Sequence, residues 1–313
     1  MLRFIGRRLI SGLILTFAIT TIAYLLLYMG GGNIARRILG QNATQEQVDQ
    51  RAAELGLDQP LVVQYGGWLG RAITGDLGRS WFSGQLVTEA LTTRLAVTLT
   101  LVIAATVISG VVAVLLGVWA ARAGGWVDRI IQFVSVLAMA VPGFLIAVGL
   151  VLVLAIQLGW FKATGYTRLG DDPVEWLRSV TLPIVALSIG GSAAVTQQVR
   201  GSMLDALQKD FVRTLRSRGL DGRSVLLKHA LRNSVGPALA VLNVQFVGML
   251  GGAVVVEQVF QMPGLGQLSV GATNQGDIPL VMGLVLVTAV IVIVVNLLID
   301  IVQGLLNPKV RLA

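Results

Sequence analysis

A chain of 313 residues that is 55% hydrophobic and only 13% charged, with mean hydropathy +0.79, is far more apolar than a soluble domain, in which about a quarter of residues carry charge. The absence of cysteine excludes a disulfide framework, a thiolate zinc site and a cysteine nucleophile. The net charge of +8 does not point to nucleic acid, because the basic residues follow membrane topology and no basic patch with interleaved aromatics stands out.

A hydrocarbon core about 30 Å thick takes roughly 20 apolar residues per helix, with every backbone polar group satisfied inside the span. Six runs meet that requirement: Leu9 to Met29, Leu95 to Ala121, Ile130 to Gly159, Val180 to Val199, Val235 to Val256 and Leu280 to Val302. Runs such as Val281 to Val295 are apolar throughout, so the in/out alternation of a membrane barrel is missing. The expectation is an all-α polytopic membrane protein of six transmembrane helices.

The first run follows Arg3, Arg7 and Arg8, as in a signal peptide, but it covers 21 residues, beyond the roughly 7 to 15 of a signal's apolar region. An uncleaved first span, residues 1–29, is expected. Residues 30–94 read as a polar outer segment. Thr44-Gln-Glu-Gln47 fits a capping box, and Val48, Ala52 and Leu55 recur at helical spacing until Gly56 and Pro60 stop the helix. Leu61 to Ile73 reads as a second short helix and Gly75-Asp-Leu-Gly78 as a turn. The segment is open to two readings, a connector lying on the outer leaflet with Trp68, Trp81 and Phe82 as interfacial anchors, or direct contact with substrate. Residues 95–313 form a core of five spans with a polar loop over 205–234.

Basic residues counted in alternate loops set the orientation. With a cytoplasmic N terminus, fifteen of the 24 Lys and Arg lie inside, and the split is +10 inside against −2 outside. Both termini are therefore expected in the cytoplasm. The outer loop Trp160 to Arg178, with acids and bases opposed, is expected as a solvated connection.

The chain's only lysines, Lys162, Lys209, Lys228 and Lys309, each follow a residue other than glycine, so no G-x-x-x-x-G-K-[ST] phosphate loop exists here. The one histidine, His229, has no metal-spaced partner. No catalytic residue and no metal site are expected. Ionisable groups are scarce in mid-span, where each would be costly and kept for function; Arg200, Glu257 and Asp300 sit near predicted ends. Neutral polar residues remain, among them Gln197, Asn243 and Gln245. Hydrogen bonding between helices and the lining of a passage are equally open readings for these amides. The Pro142-Gly143 and Pro263-Gly264 breaks are likewise open to packing or passage, since broken backbone at membrane depth is tolerated where it lines a cavity or is shielded by protein.

The segment Gln208 to Asn233 reads as two short helices broken at Gly219 and Gly222. Phe211, Leu215 and Leu220 offer apolar contact, with Arg213, Arg216, Arg218 and Arg223 around them. Such a helix fits a groove on a partner protein or lies on anionic membrane lipid.

Asp210-Phe-Val-Arg-Thr-Leu-Arg-Ser-Arg-Gly219-Leu220, followed by His229-Ala-Leu-Arg-Asn233 and Pro237, closely resembles the loop of permease subunits in binding-protein-dependent dipeptide and oligopeptide ABC importers. The pattern there is D-[YF]-V-R-T-A-R-A-K-G-L, with Leu215 here replacing an alanine. The broader E-A-A-x3-G-x9-I-x-L-P loop consensus is poorly met. Gly56-Leu-Asp-Gln-Pro60, Gln64-Tyr65, Trp68-Leu69 and Gly75-Asp-Leu-Gly78 resemble the B-type subunit. Glu257-Gln-Val-Phe260-Gln-Met-Pro263-Gly264-Leu-Gly266 and Gly276-Asp-Ile-Pro279 resemble the segments after span five and before span six.

The resemblance implies a type I ABC importer permease fold in a bacterial cytoplasmic (inner) membrane, with no enzymatic centre and no cofactor bound by this chain. It implies a homologous second permease, one or two ABC ATPases that use ATP and Mg, an extracytoplasmic substrate-binding protein and a peptide substrate. Asp210, Arg213, Thr214, Arg216, Gly219, Leu220, Asp221 and Arg223 would contact the ATPase. Pro142, Phe144, Gln197, Asn243, Gln245, Glu257, Met262, Pro263 and Gly264 are the candidates for the pathway or its gate. Nickel, glutathione or haem as cargo, and a nucleotide-independent channel, are the alternatives.

Overall fold

The computed structural model describes residues 2–30 and 34–306; Lys309 and Arg311 of the charge count lie outside these, as does the side chain of Arg3. The described residues form helices α1 (Leu2–Gly30), α2 (Ile34–Leu39), α3 (Gln45–Glu54), α4 (Leu61–Ile73), α5 (Val87–Ala123) and α6 (Gly125–Ala140). There follow α7 (Gly143–Gln157), α8 (Pro173–Gln208), α9 (Asp210–Ser217), α10 (Gly222–Val259), α11 (Leu265–Gln275) and α12 (Ile278–Leu306). Among the described residues, five helices are long and apolar enough to cross a membrane, or six when α6 and α7, bent by 97°, count as one span. The third run is therefore broken rather than straight. Pro142 has no N–H to donate and pushes Val141 into an extended conformation, which ends α6.

The chain divides into two compact units, residues 1–96 with 267–294, and residues 97–266 with 295–313. In the first, the Thr44 hydroxyl accepts from Gln47 N–H at 3.3 Å and Gln47 Oε1 accepts from Thr44 N–H at 3.0 Å, closing the capping box of α3. Gly56 then turns the chain at φ +69°, and Pro60 opens α4. The face of α4 that carries Gln64, Tyr65 and Trp68 packs on α1. Tyr65 Oη lies 3.0 Å from the hydroxyls of both Thr20 and Thr21, and the Tyr24 hydroxyl donates to Gln64 Oε1 at 3.2 Å.

Trp68 does not serve as an interfacial anchor. It stacks on Tyr65 with ring centroids 6.0 Å apart and is buried with Tyr24, Ile34, Ile278 and Met282; a large ring with that many apolar neighbours stabilises more as core than at an interface. Trp81 and Phe82 are half-buried. Asp277, fully buried, caps the start of α12 and accepts from the Ser80 hydroxyl at 2.5 Å and from Trp81 N–H at 3.3 Å. The Gly75–Gly78 turn is as expected, with Asp76 Oδ1 accepting from Gly78 N–H at 2.8 Å.

In the second unit α8 is the central helix. Asp172 caps it by accepting from Val174 and Glu175 N–H at 2.9 and 3.1 Å, with Pro173 in the first turn. Val195, Val199, Met203 and Ala206 of α8 share a core with Ala113 of α5 and with Leu226, Ala230 and Ala238 of α10. Small residues set the spacing. A Cβ on Gly117 of α5 would lie 2.7 Å from Val199 Cβ, so the two helices touch there through glycine, the usual device for close helix contact in lipid.

Candidate functional site

Two features of the second unit could bear function. The first is α9. Its amphipathic sequence turns Val212 fully inward and leaves Phe211 and Leu215 half-buried. Asp210, Arg213, Thr214, Arg216 and Arg218 face outward. The Arg213–Asp210 pair, at 3.9 Å, is almost wholly in solvent and holds little. The guanidinium face is thus free for another partner.

The end of α9 is built by local rules. Gly219 adopts φ +77°, with its N–H on Arg216 C=O at 3.0 Å and the Leu220 N–H on Leu215 C=O at 3.2 Å. This is the Schellman arrangement, in which a left-handed residue closes the helix and the apolar residues at its two ends approach. Leu215 and Leu220, both half-buried, are those residues. Asp221 starts the next helix by accepting from Arg223 N–H at 3.1 Å. That helix is not the separate short piece expected after Gly222. It runs 38 residues into the fifth span, with a wider π-helical stretch at Val225–Ala230 that carries half-buried His229. Arg223 and Gly219 are exposed, as is Asp221.

The second feature is a cavity of about 490 Å³ between α6, α7, α8 and α10. Pro142 and Phe144 stand at the bend on one side, with Gly190 and Gly191 on another and Gln245 and Gly248 on a third. Gln245 is the one polar side chain in its lining. The broken backbone at Pro142 thus lines a cavity, one of the settings in which lipid-embedded chains tolerate such a break.

The other pathway candidates lie elsewhere. Gln197 and Asn243 are half-buried outside the lining, and Asn243 Oδ1 is buried without a hydrogen-bond donor. Glu257 and Met262, candidates for the pathway or its gate, are both 0% exposed, so neither side chain meets an open passage in this conformation. Glu257 accepts from the Thr98 hydroxyl at 2.5 Å, and Thr98 Oγ1 accepts from Leu265 N–H at 2.8 Å. The carboxylate sits against Gly264 and Gly266, where a Cβ would overlap it. These residues hold the turn between α10 and α11, with Gln261 in a left-handed conformation at φ +51° and Pro263 exposed.

Sequence reasoning missed a cross-helix ion pair in this unit. Arg200 on α8 and Asp128 in the first turn of α6 form two hydrogen bonds, Nε to Oδ1 and Nη2 to Oδ2, the latter 2.6 Å. Neither residue belongs to a motif, and only their opposite charge at the ends of predicted spans hinted at a partnership.

Comparison with known proteins agrees with the geometry. Residues 110–312 match the family described as binding-protein-dependent transport system inner membrane component, and residues 1–102 match the N-terminal region of such membrane components. A Brucella abortus (strain 2308) protein whose name describes a peptide transport system permease is 36% identical over 306 residues, covering 97% of this chain and 98% of that protein. The oligopeptide transport system permease protein AppB of Bacillus subtilis (strain 168) is 32% identical, covering 99% of this chain and all of its own length. With its long apolar helices, its exposed basic α9 and these matches, the chain belongs to the family of inner membrane components of binding-protein-dependent transport systems, as a multi-pass permease subunit.

Proposed function

We propose that this chain forms half of the translocation pathway for short peptides in an ATP-driven importer and couples that pathway to separate ATPase subunits. The observation that carries the reading is the full-length match to permeases whose names specify peptide or oligopeptide transport. The chain has no phosphate loop, so energy has to come from partners: one or two ABC ATPases that bind ATP and Mg at their own sites, with α9 as their docking helix. A second, homologous permease completes the pathway, and an external binding protein delivers the peptide. The charge distribution supports cytoplasmic termini.

The cavity suits such cargo. Its lining carries one amide and no charged group, so peptides of differing side chains meet no fixed charge that would hold or repel them, and a passage must bind weakly enough to release. ATP-driven closure of the ATPases would move α9 and bias the permease between its two access states, since a ligand shifts such an equilibrium only through differential contact with the two states.

Reconstitution of the complete complex in proteoliposomes tests this. ATP-dependent accumulation of peptides from a casein digest is expected, and Arg213→Glu with Arg216→Glu is expected to abolish it while leaving the permease assembled and its thermal stability within about 0.5 kcal/mol, as for exposed positions. Uptake that needs no nucleotide would refute the importer reading; unchanged uptake in a well-assembled double variant would refute the docking role of α9.

A further inference from the structure

Asp128 and Arg200 lie 72 residues apart in sequence and meet across two helices. Their side chains are only 16% and 24% exposed. Gln132, one turn along α6, donates to Asp128 Oδ2 at 3.1 Å, so the carboxylate is held from its own helix as well as by the guanidinium. On the other side, Arg200 follows Val199, whose Cβ sits where Gly117 leaves no room for a side chain; a Cβ on Gly117 would also come within 3.1 Å of the Arg200 backbone nitrogen. The backbone of α8 is therefore wedged against α5 at the level where its side chain grips α6.

The pair has a specific place in the unit. From Arg200, α8 continues unbroken to Gln208, and α9 begins after the single extended residue Lys209. From Asp128, α6 continues unbroken to Ala140, a rise of about 18 Å at roughly 1.5 Å per residue, and ends at the Pro142 bend that lines the cavity. A planar guanidinium bound at two points fixes the orientation of its partner as well as the distance, which a single ammonium contact does not.

We propose that Asp128 and Arg200 are positioning residues for transport: their two-point ion pair makes α6 follow α8, so that a displacement of α9 reaches the Pro142 bend and the cavity. This rests on the reading of α9 as the ATPase-docking helix. A pair that only held the fold together would contribute to stability and leave the yield of transport per ATP unchanged.

The test uses the complete complex of both permeases, the ATPases and the binding protein in proteoliposomes, with peptides from a casein digest as cargo and ATP hydrolysis measured in parallel. Asp128→Asn and Arg200→Gln are each expected to assemble and hydrolyse ATP near the wild-type rate. Each should transport roughly threefold to thirtyfold less peptide per ATP, the range expected when a coupling element is removed. Arg200→Lys, which keeps the charge and loses the fork, should fall between. The reversed pair, Asp128→Arg with Arg200→Asp, should regain part of the ratio lost by the single variants. Lowered assembly or thermal stability with an unchanged ratio would overturn the proposal, as would a reversed pair that assembles yet recovers nothing. If the single variants do not assemble, the ratio measured for Arg200→Lys decides in the same way. Absence of ATP-dependent uptake in the wild type would instead overturn the importer reading itself, so the two failures are distinct.

Discussion

Helices α8 and α1 are both long enough to cross a membrane, yet their burial differs widely. About 72% of the apolar window of α8 is buried, against 17% for α1, and α8 is the least apolar of the five long helices. In water that order would be reversed. In lipid, the hydrocarbon tails are as apolar as leucine, so helices associate through close packing and hydrogen bonds, and small or hydroxyl-bearing residues mark the interior. Helix α8 carries Gly190, Gly191, Ser192, Ala193 and Ala194 in succession, and its hydroxyls are satisfied along the helix: Ser192 and Thr196 each donate to the carbonyl one turn back. Ser109 of α5 donates to Ser188 C=O at 2.9 Å. Helix α1 presents Leu13, Ile14 and Phe17 outward and commits Thr20, Thr21 and Tyr24 to α4.

The sharpest way to break this comparison is to place the same substitution on each side of it. Gly117→Leu would drive a side chain into Val199 and the backbone of α8 and is expected to destabilise the permease by about 3 kcal/mol, the upper part of the overpacking range, read as a fall in melting temperature of the purified protein. A loss below about 1 kcal/mol would mean that the close contact there is not what holds α5 to α8.

An intermediate effect is expected where a small residue faces a buried carboxyl group. Gly264→Ala would put its methyl onto the Glu257 carboxylate, which the Thr98 hydroxyl pins in place. A cost of about 2 kcal/mol is expected. Because the clash needs both groups, Glu257→Ala should make the alanine at 264 less harmful, with a coupling of about 1 to 2 kcal/mol in a double-mutant cycle. Strict additivity would show that the glycine is there for another reason.

The smallest effect belongs to α1. A Cβ on Gly6 meets nothing within 4 Å, and Leu13 is 69% exposed. Gly6→Leu and Leu13→Ala should each change stability by no more than about 0.5 kcal/mol, as for positions without packing partners. A larger loss from either would reveal a protein neighbour on that face of α1.

Much of the site was legible where the physics is local. The capping box at Thr44, the helix Leu61–Ile73 and the stop at Gly219 each rest on hydrogen bonds between residues a few positions apart, and residue type at those positions is enough to anticipate them. The break at Pro142 follows from the missing N–H of a single residue. The 97° turn it produces, and the cavity that turn lines, depend on α8 and α10 packing against it.

What the sequence by itself determined is the membrane-spanning helical class, the amphipathic basic helix with its stop at Gly219, and the family, because composition, period and short-range pattern are properties of neighbouring residues. The tertiary structure alone decided which polar groups are paired and which rings are core. Asp128 finds Arg200 across 72 positions, Glu257 finds Thr98 across 159, and Asp277 finds Ser80 across 197. Trp68, which by type suits the interface, is buried against Tyr24 and Met282 instead. Partnerships of that kind are set by which helices meet and at what height, and no window along the chain contains both members.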